Sequence, residues 1–170
     1  MDDFAYVPYA ELLELAVSKY LVLIFLDGVM DPQNLGVILR SLGCLGDFAV
    51  VLPTKDSVSV TEAVLRVASG GENYVKVSQV SNLAQAIVKA KDAGFWIAGS
   101  IVDEGEEIFG AQLQFPLGLV LGSEQKGIRD VIKKYLDLKV TIPMAQSRMS
   151  FNVAQAATIF AYEITKQRKR

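Results

Sequence analysis

Two asparagines, an arginine, a glutamate and a serine stand where strands give way to loops or helices. Asn34 and Arg40 occur in Asn34-Leu35-Gly36-Val37-Ile38-Leu39-Arg40, and Glu124 in Leu121-Gly122-Ser123-Glu124-Gln125-Lys126-Gly127. Ser150 and Asn152 close the run Ile142-Pro143-Met144-Ala145-Gln146-Ser147-Arg148-Met149-Ser150-Phe151-Asn152-Val153-Ala154. The chain has no histidine, so the commonest general base is missing. Acid–base work would fall to Asp, Glu, Lys, Tyr or an unusually placed Arg. Each residue also has a plainer reading. Asn34 can be a helix N-cap, Arg40 a solvated helix residue, Glu124 part of a glycine-bounded turn, and Ser150 a cap for the last helix. At about 100° per residue, however, Gly36, Arg40 and Gly43 share a face away from the leucines. Two glycines there leave room for a ligand or another backbone to come close.

The elements that must carry these residues alternate. Val22 to Leu26, Phe48 to Leu52, Tyr74 to Val77, Phe95 to Ala98, Leu117 to Leu121 and Leu138 to Ile142 read as short buried strands. Between them, helices are expected from Leu35 to near Gly46, Thr61 to Ala68, Asn82 to Ala93 and Ile128 to Tyr135. A last helix is expected from about Phe151 to Lys166. The pattern predicts an α/β fold, a mainly parallel sheet with helices on both faces. Glu11 to Ser18 reads as a lead-in helix packed on the first strand, which makes 1–20 a lead-in and 21–170 the main domain. Motif 121–127 then falls at the carboxyl end of a strand, where open α/β sheets bind ligands.

Composition sets wider bounds. The chain of 170 residues is 51% hydrophobic and 21% charged, which fits one globular domain with a sizeable core. A net charge of −2 argues against a dedicated nucleic-acid binder. Lys166-Gln167-Arg168-Lys169-Arg170 reads as a solvated basic end, and Asp103-Glu104-Gly105-Glu106-Glu107 as a solvated acidic loop. The single Cys44 excludes an internal disulfide and, without histidine, the usual zinc clusters; it reads as a core residue of an apolar helix. No apolar stretch approaches a membrane span, and the start lacks a basic signal segment, so a cytoplasmic location is expected. The absence of Gly-x-Gly-x-x-Gly counts against a nicotinamide-binding Rossmann enzyme.

In this order, the three motifs resemble those of the SpoU (TrmH-like) RNA ribose 2′-O-methyltransferases of the SPOUT superfamily. The resemblance implies a deep trefoil knot at the C-terminal end, S-adenosyl-L-methionine as cofactor, a homodimer, an RNA substrate and no metal. It implies catalytic roles for Arg40, Asn34, Glu124, Ser150 and Asn152. Arg40 would act across the dimer, binding a phosphate beside the target ribose and stabilising the forming alkoxide, because a guanidinium holds its protons too tightly to be a good base. Glu124 would organise rather than abstract a proton. Cofactor binding would fall to Gly99, Leu121, Gly122, Ile142, Met144, Phe151 and Asn152. Phe151, Ala154 and Gln146 depart from the family's usual residues and bear on pocket size and cofactor affinity.

Val67-Ala68-Ser69-Gly70-Gly71, Val80-Ser81-Asn82-Leu83 and Ala93-Gly94-Phe95-Trp96 further resemble the subgroup that methylates a guanosine ribose in large-subunit rRNA. Those enzymes carry an N-terminal RNA-binding domain, and this chain begins at about the end of the linker that follows it. A tRNA guanosine methyltransferase is the runner-up. A catalytically weak RNA- or ribosome-binding module with the same fold is the alternative from another class.

Overall fold

The computed structural model describes residues 4–146 and 148–168. Seven strands form one sheet: β1 (Val22–Asp27), β2 (Phe48–Pro53), β3 (Lys76–Val80), β4 (Trp96–Ser100), β5 (Glu106–Glu107), β6 (Leu117–Gly122) and β7 (Leu138–Thr141). Their spatial order is β3-β2-β1-β6-β4-β7-β5, and each of these pairings is parallel. The helices are α1 (Tyr9–Lys19), α2 (Pro32–Leu45), α3 (Glu62–Ala68), α4 (Leu83–Asp92), α5 (Asp130–Lys133) and α6 (Val153–Arg168). β1 is buried along its whole length because both faces are covered. Val22, Ile24 and Leu26 pack with α2, α3 and α6, while Leu23 and Phe25 pack with α1, α4 and α5. Each such side chain contributes about 1.5–3 kcal/mol by leaving water. The expected parallel α/β architecture is thus observed.

Several boundaries differ from expectation for identifiable reasons. β3 begins at Lys76, not Tyr74, because a short 3-10 turn at Gly71–Asn73 intervenes. Ser78 and Gln79 hide the rest of that strand from an apolar count, although the Ser78 hydroxyl is buried and donates to Val7 O at 2.6 Å. Part of the acidic loop is an edge strand: Glu106 and Glu107 pair with β7 while their side chains stay exposed. α5 spans one turn, Asp130–Lys133, instead of Ile128 to Tyr135. The lead-in helix lies chiefly over β2 and β3 and puts Leu12 and Ala16 fully into the core. Tyr9 donates its hydroxyl to Ala86 O, and burial pushes its phenol well above the ordinary value.

One composition-level expectation is corrected. Cys44 is exposed. It sits two residues beyond the buried Leu42, about 200° around the helix, so it faces away from the core. The basic end continues α6: Lys166 pairs with Glu163 at 3.2 Å, and Arg168 donates to Asp47 O at 3.2 Å. Lys169 and Arg170, like Met1-Asp2-Asp3 and Ser147, lie outside the described residues.

Candidate active site

Because all strands run the same way, their carboxyl ends share one edge, and the motifs collect there. Asp31 caps α2, accepting from Gln33 N at 2.8 Å, with Pro32 in the first turn. Asn34 is therefore not the cap. Already inside the helix, it has a side chain free to reach outward, and its Nδ2 donates to Glu124 Oε1 at 3.3 Å. α6 begins at Val153, not Phe151, and Asn152 precedes it. The cap is Asn152, not Ser150: its Oδ1 accepts from Ala154 N at 2.8 Å and Gln155 N at 3.3 Å.

That cap fixes which end of the Asn152 amide is which. With Oδ1 committed to helix N–H groups, Nδ2 must point away, and it donates to Asn34 Oδ1 at 3.0 Å and Glu124 Oε1 at 3.1 Å. Val153 N donates to the same carboxylate oxygen at 3.4 Å. Glu124 Oε1 thus gathers two amides and a main-chain N–H at the positive end of a 16-residue helix. Three distant segments meet in one closed triangle. All three of these donors fall on one carboxylate oxygen, Oε1.

Beside the triangle lies a cleft of about 300 Å³ over the ends of β4, β6 and β7. Leu121, Gly122, Glu124, Ile142, Met144, Ser150 and Phe151, all singled out in the sequence, line it together with Ser100, Asp103, Lys126 and Lys133. Gly99 does not. A Cβ there would run into Leu136, so that glycine serves packing behind the strand, and Ser100 faces the cleft instead. Asn152 is at the cleft's edge through Glu124 rather than among the lining residues. Of the three departures, only Phe151 borders the cleft. Ala154 is 2% exposed and packs in the core, and Gln146 is exposed elsewhere on the loop.

Arg40 is not part of this assembly within one chain. It is exposed, six residues from Asn34 and so about 9 Å farther along α2. It borders a separate, mostly apolar groove of about 570 Å³ with Cys44, Leu45, Phe109, Ile159 and Tyr162. The flanking glycines admit a backbone, not a ligand. A Cβ at Gly36 would press on Val67 and Val64 O, and one at Gly43 would meet Gly71 Cα at 3.1 Å. Gly71 is equally tight, since its Cβ would lie 2.6 Å from Leu39 O and 2.8 Å from the Cα of Arg40. Gly71→Ala should therefore force the 3-10 turn off α2 and cost about 1–3 kcal/mol, readable by thermal denaturation.

The arrangement joins a carboxylate-centred amide hub to a cleft with an apolar wall and a charged rim. Residues 21–162 match the SpoU rRNA Methylase family. The chain belongs to that family. It is 39% identical over 147 residues to an uncharacterized tRNA/rRNA methyltransferase of Synechocystis, covering 86% of this chain and 38% of that protein. It is 36% identical over 159 residues to the 23S rRNA (guanosine-2′-O-)-methyltransferase RlmB of Pseudomonas putida, covering 94% of this chain and 64% of that protein. Among solved structures, the SpoU methyltransferase AviRb from Streptomyces viridochromogenes in complex with AdoMet superposes with a TM-score of 0.79. That match has 25% identity and covers 88% of this chain and 58% of AviRb. This SpoU chain thus spans less than two thirds of each of these relatives.

Sequence reasoning missed one part of the site. Asp27, the last residue of β1, is 3% exposed and bound on both carboxylate oxygens by Arg129. An aspartate ending an all-apolar run was the available signal.

Proposed function

We propose that this chain is a catalytic domain that transfers a methyl group from S-adenosyl-L-methionine to a ribose 2′-hydroxyl in RNA. A guanosine of large-subunit rRNA is the favoured target. The observation that carries this is the closed Asn34–Glu124–Asn152 triangle beside a cleft at the carboxyl ends of parallel strands. Family membership and the name of the P. putida relative support the rRNA target. The Synechocystis relative is named for tRNA and rRNA together, which keeps a tRNA target as the second reading.

The residues suit the cofactor. Leu121, Ile142, Met144 and Phe151 offer an apolar wall for a purine, and the main chain around Gly122 and Pro143 offers amides and carbonyls to read its edge. Asp103, Lys126 and Lys133 supply both signs of charge for an amino-acid end. Bound there, S-adenosylmethionine supplies a sulfonium methyl that is already activated, so neither a metal nor a strong base is required. Glu124 holds both asparagines in one orientation, and Ser150 offers a hydroxyl at the cleft mouth. Arg40 would bind the phosphate beside the ribose and steady the 2′-oxygen as its proton is released to solvent; the O–CH3 bond would form as the S–CH3 bond breaks, with S-adenosylhomocysteine leaving.

Arg40 stands apart from the triangle, so the active unit is a homodimer in which Arg40 serves the partner's cleft. The groove containing Phe109, Ile159 and Tyr162 supports this, being apolar and adjacent to Arg40. We also assign to residues 21–170 the trefoil knot of the superfamily. Its support is the path from β7 past the cleft into α6, which packs on α2. The cytoplasm is the proposed working location, in keeping with an RNA substrate. Separately, no described helix is long and apolar enough to cross a membrane.

The test is calorimetric titration with S-adenosylmethionine and S-adenosylhomocysteine, alongside the mass in solution, followed by methyl transfer to rRNA and tRNA fragments. Micromolar-range binding by a dimer and transfer to a ribose 2′-oxygen are expected. A folded protein that binds RNA but takes no cofactor, with or without that RNA, would make this chain a binding module.

A further inference from the structure

We infer that Asp27 and Arg129 are positioning residues that set the 122–129 loop, and through it Glu124, against the last helix. Asp27 ends β1 opposite Gly122 in the parallel register, directly behind the loop whose other side walls the cleft. Its three acceptors hold that loop at both ends. The main-chain oxygen takes Ser123 N at 3.1 Å, Oδ2 takes Arg129 N at 2.9 Å, and Oδ1 takes Arg129 Nε at 2.8 Å. Between these anchors the loop closes on itself. Gly127 N donates to Ser123 O at 2.8 Å, and Lys126 N donates to Ser123 Oγ at 3.1 Å. A Cβ on Gly122 would overlap the Gly127 main chain, so the closure leaves no slack.

Glu124 is the one residue of this loop that reaches Asn34 and Asn152, and it is exposed. Its carboxylate is held by Asn34, Asn152 and Val153 N, and its main chain is held by the anchors on either side of the loop. The pair itself is asymmetric. The Asp27 side chain is 3% exposed and that of Arg129 is 56% exposed. A buried carboxylate is costly to leave unpaired, so the charge of Asp27 is tied to one loop geometry. Packing alone would need no ionised group at the end of an otherwise apolar strand. Neither residue lines the cleft or bonds to a member of the triangle; Asp27 meets the lining only from behind, through Ser123 N.

The inference rests on the methyl-transfer reading for its kinetic readout only. Asp27→Asn keeps the shape but turns one acceptor into a donor facing Arg129 N. It should lower kcat roughly 10²-fold, the scale expected for a displacement of about 1 Å at a catalytic group, with little change in the RNA KM. In amide exchange by NMR, Ser123, Arg129 and the distant Val153 should lose protection while β2 and β3 keep theirs. Arg129→Ala retains the main-chain N–H bond to Asp27, so its loss should be smaller, and Arg129→Lys smaller still. Should Asp27→Asn fail to fold, Arg129→Ala gives the same readouts.

A protein whose melting temperature falls while kcat, cofactor affinity and Val153 protection stay at wild-type values would overturn the inference. If the wild-type protein transfers no methyl, the functional reading fails instead, and the exchange pattern at Val153 still decides whether the latch exists.

Discussion

Arg40→Ala is expected to abolish methyl transfer, by roughly 10²–10³-fold or more, while melting temperature and cofactor affinity stay near wild type. The side chain is exposed and makes no bond within the described part of its own chain, so removing it leaves the core and the cleft intact. Lysine should restore little, since a point charge cannot reproduce the planar fork that grips two phosphate oxygens. A mixing experiment tests the assignment further. Arg40→Ala protein is combined with Asn152→Ala protein, exchanged to random dimers, and assayed. If Arg40 acts on the partner's cleft, each mixed dimer regains one complete site, and activity should recover to about a quarter of wild type. Action within one chain predicts no recovery, and cofactor affinity lost in Arg40→Ala would contradict the assigned role.

Asn152→Ala should have two separable effects. Losing the cap of α6 costs about 1–2 kcal/mol, or a fall in melting temperature of about 2–8 °C. Losing Nδ2 unties Glu124 from Asn34, and transfer and cofactor affinity should drop together, the former by roughly 10²-fold. Asn152→Asp separates the two. Aspartate is a good cap, so the melting temperature should largely return. It puts a second carboxylate beside Glu124 where a donor stood, so activity should stay low. If Asn152→Asp were as active as wild type, the amide hub would not be what organises the site.

Much of this site was legible in the chain because its chemistry is local to short motifs. The apolar runs at 22–26, 48–52 and 117–121 are strands, and the residues flagged at 34, 124 and 152 do meet. What sequence could not supply was which plain role each polar residue also fills. Asp31 rather than Asn34 caps α2, and Asn152 rather than Ser150 caps α6, because both assignments depend on where a helix begins to within two residues. Gly36 and Gly43 were marked as a place for close approach, but whether a ligand or a neighbouring backbone approached required tertiary contacts. Cys44 went to the wrong side of α2 because an apolar residue type was allowed to outweigh a 200° rotation from Leu42. The Asp27–Arg129 pair joins residues 102 positions apart, beyond any local pattern.

The triangle also imposes an order in time. Asn34 and Asn152 are 118 positions apart, so at about 5–20 residues per second a ribosome makes the second roughly 6–24 s after the first. Until then the sheet can assemble, but Glu124 has no helix end to face. A nascent chain therefore lacks the closed triangle, whatever else has folded, until Asn152 and the start of α6 have been made.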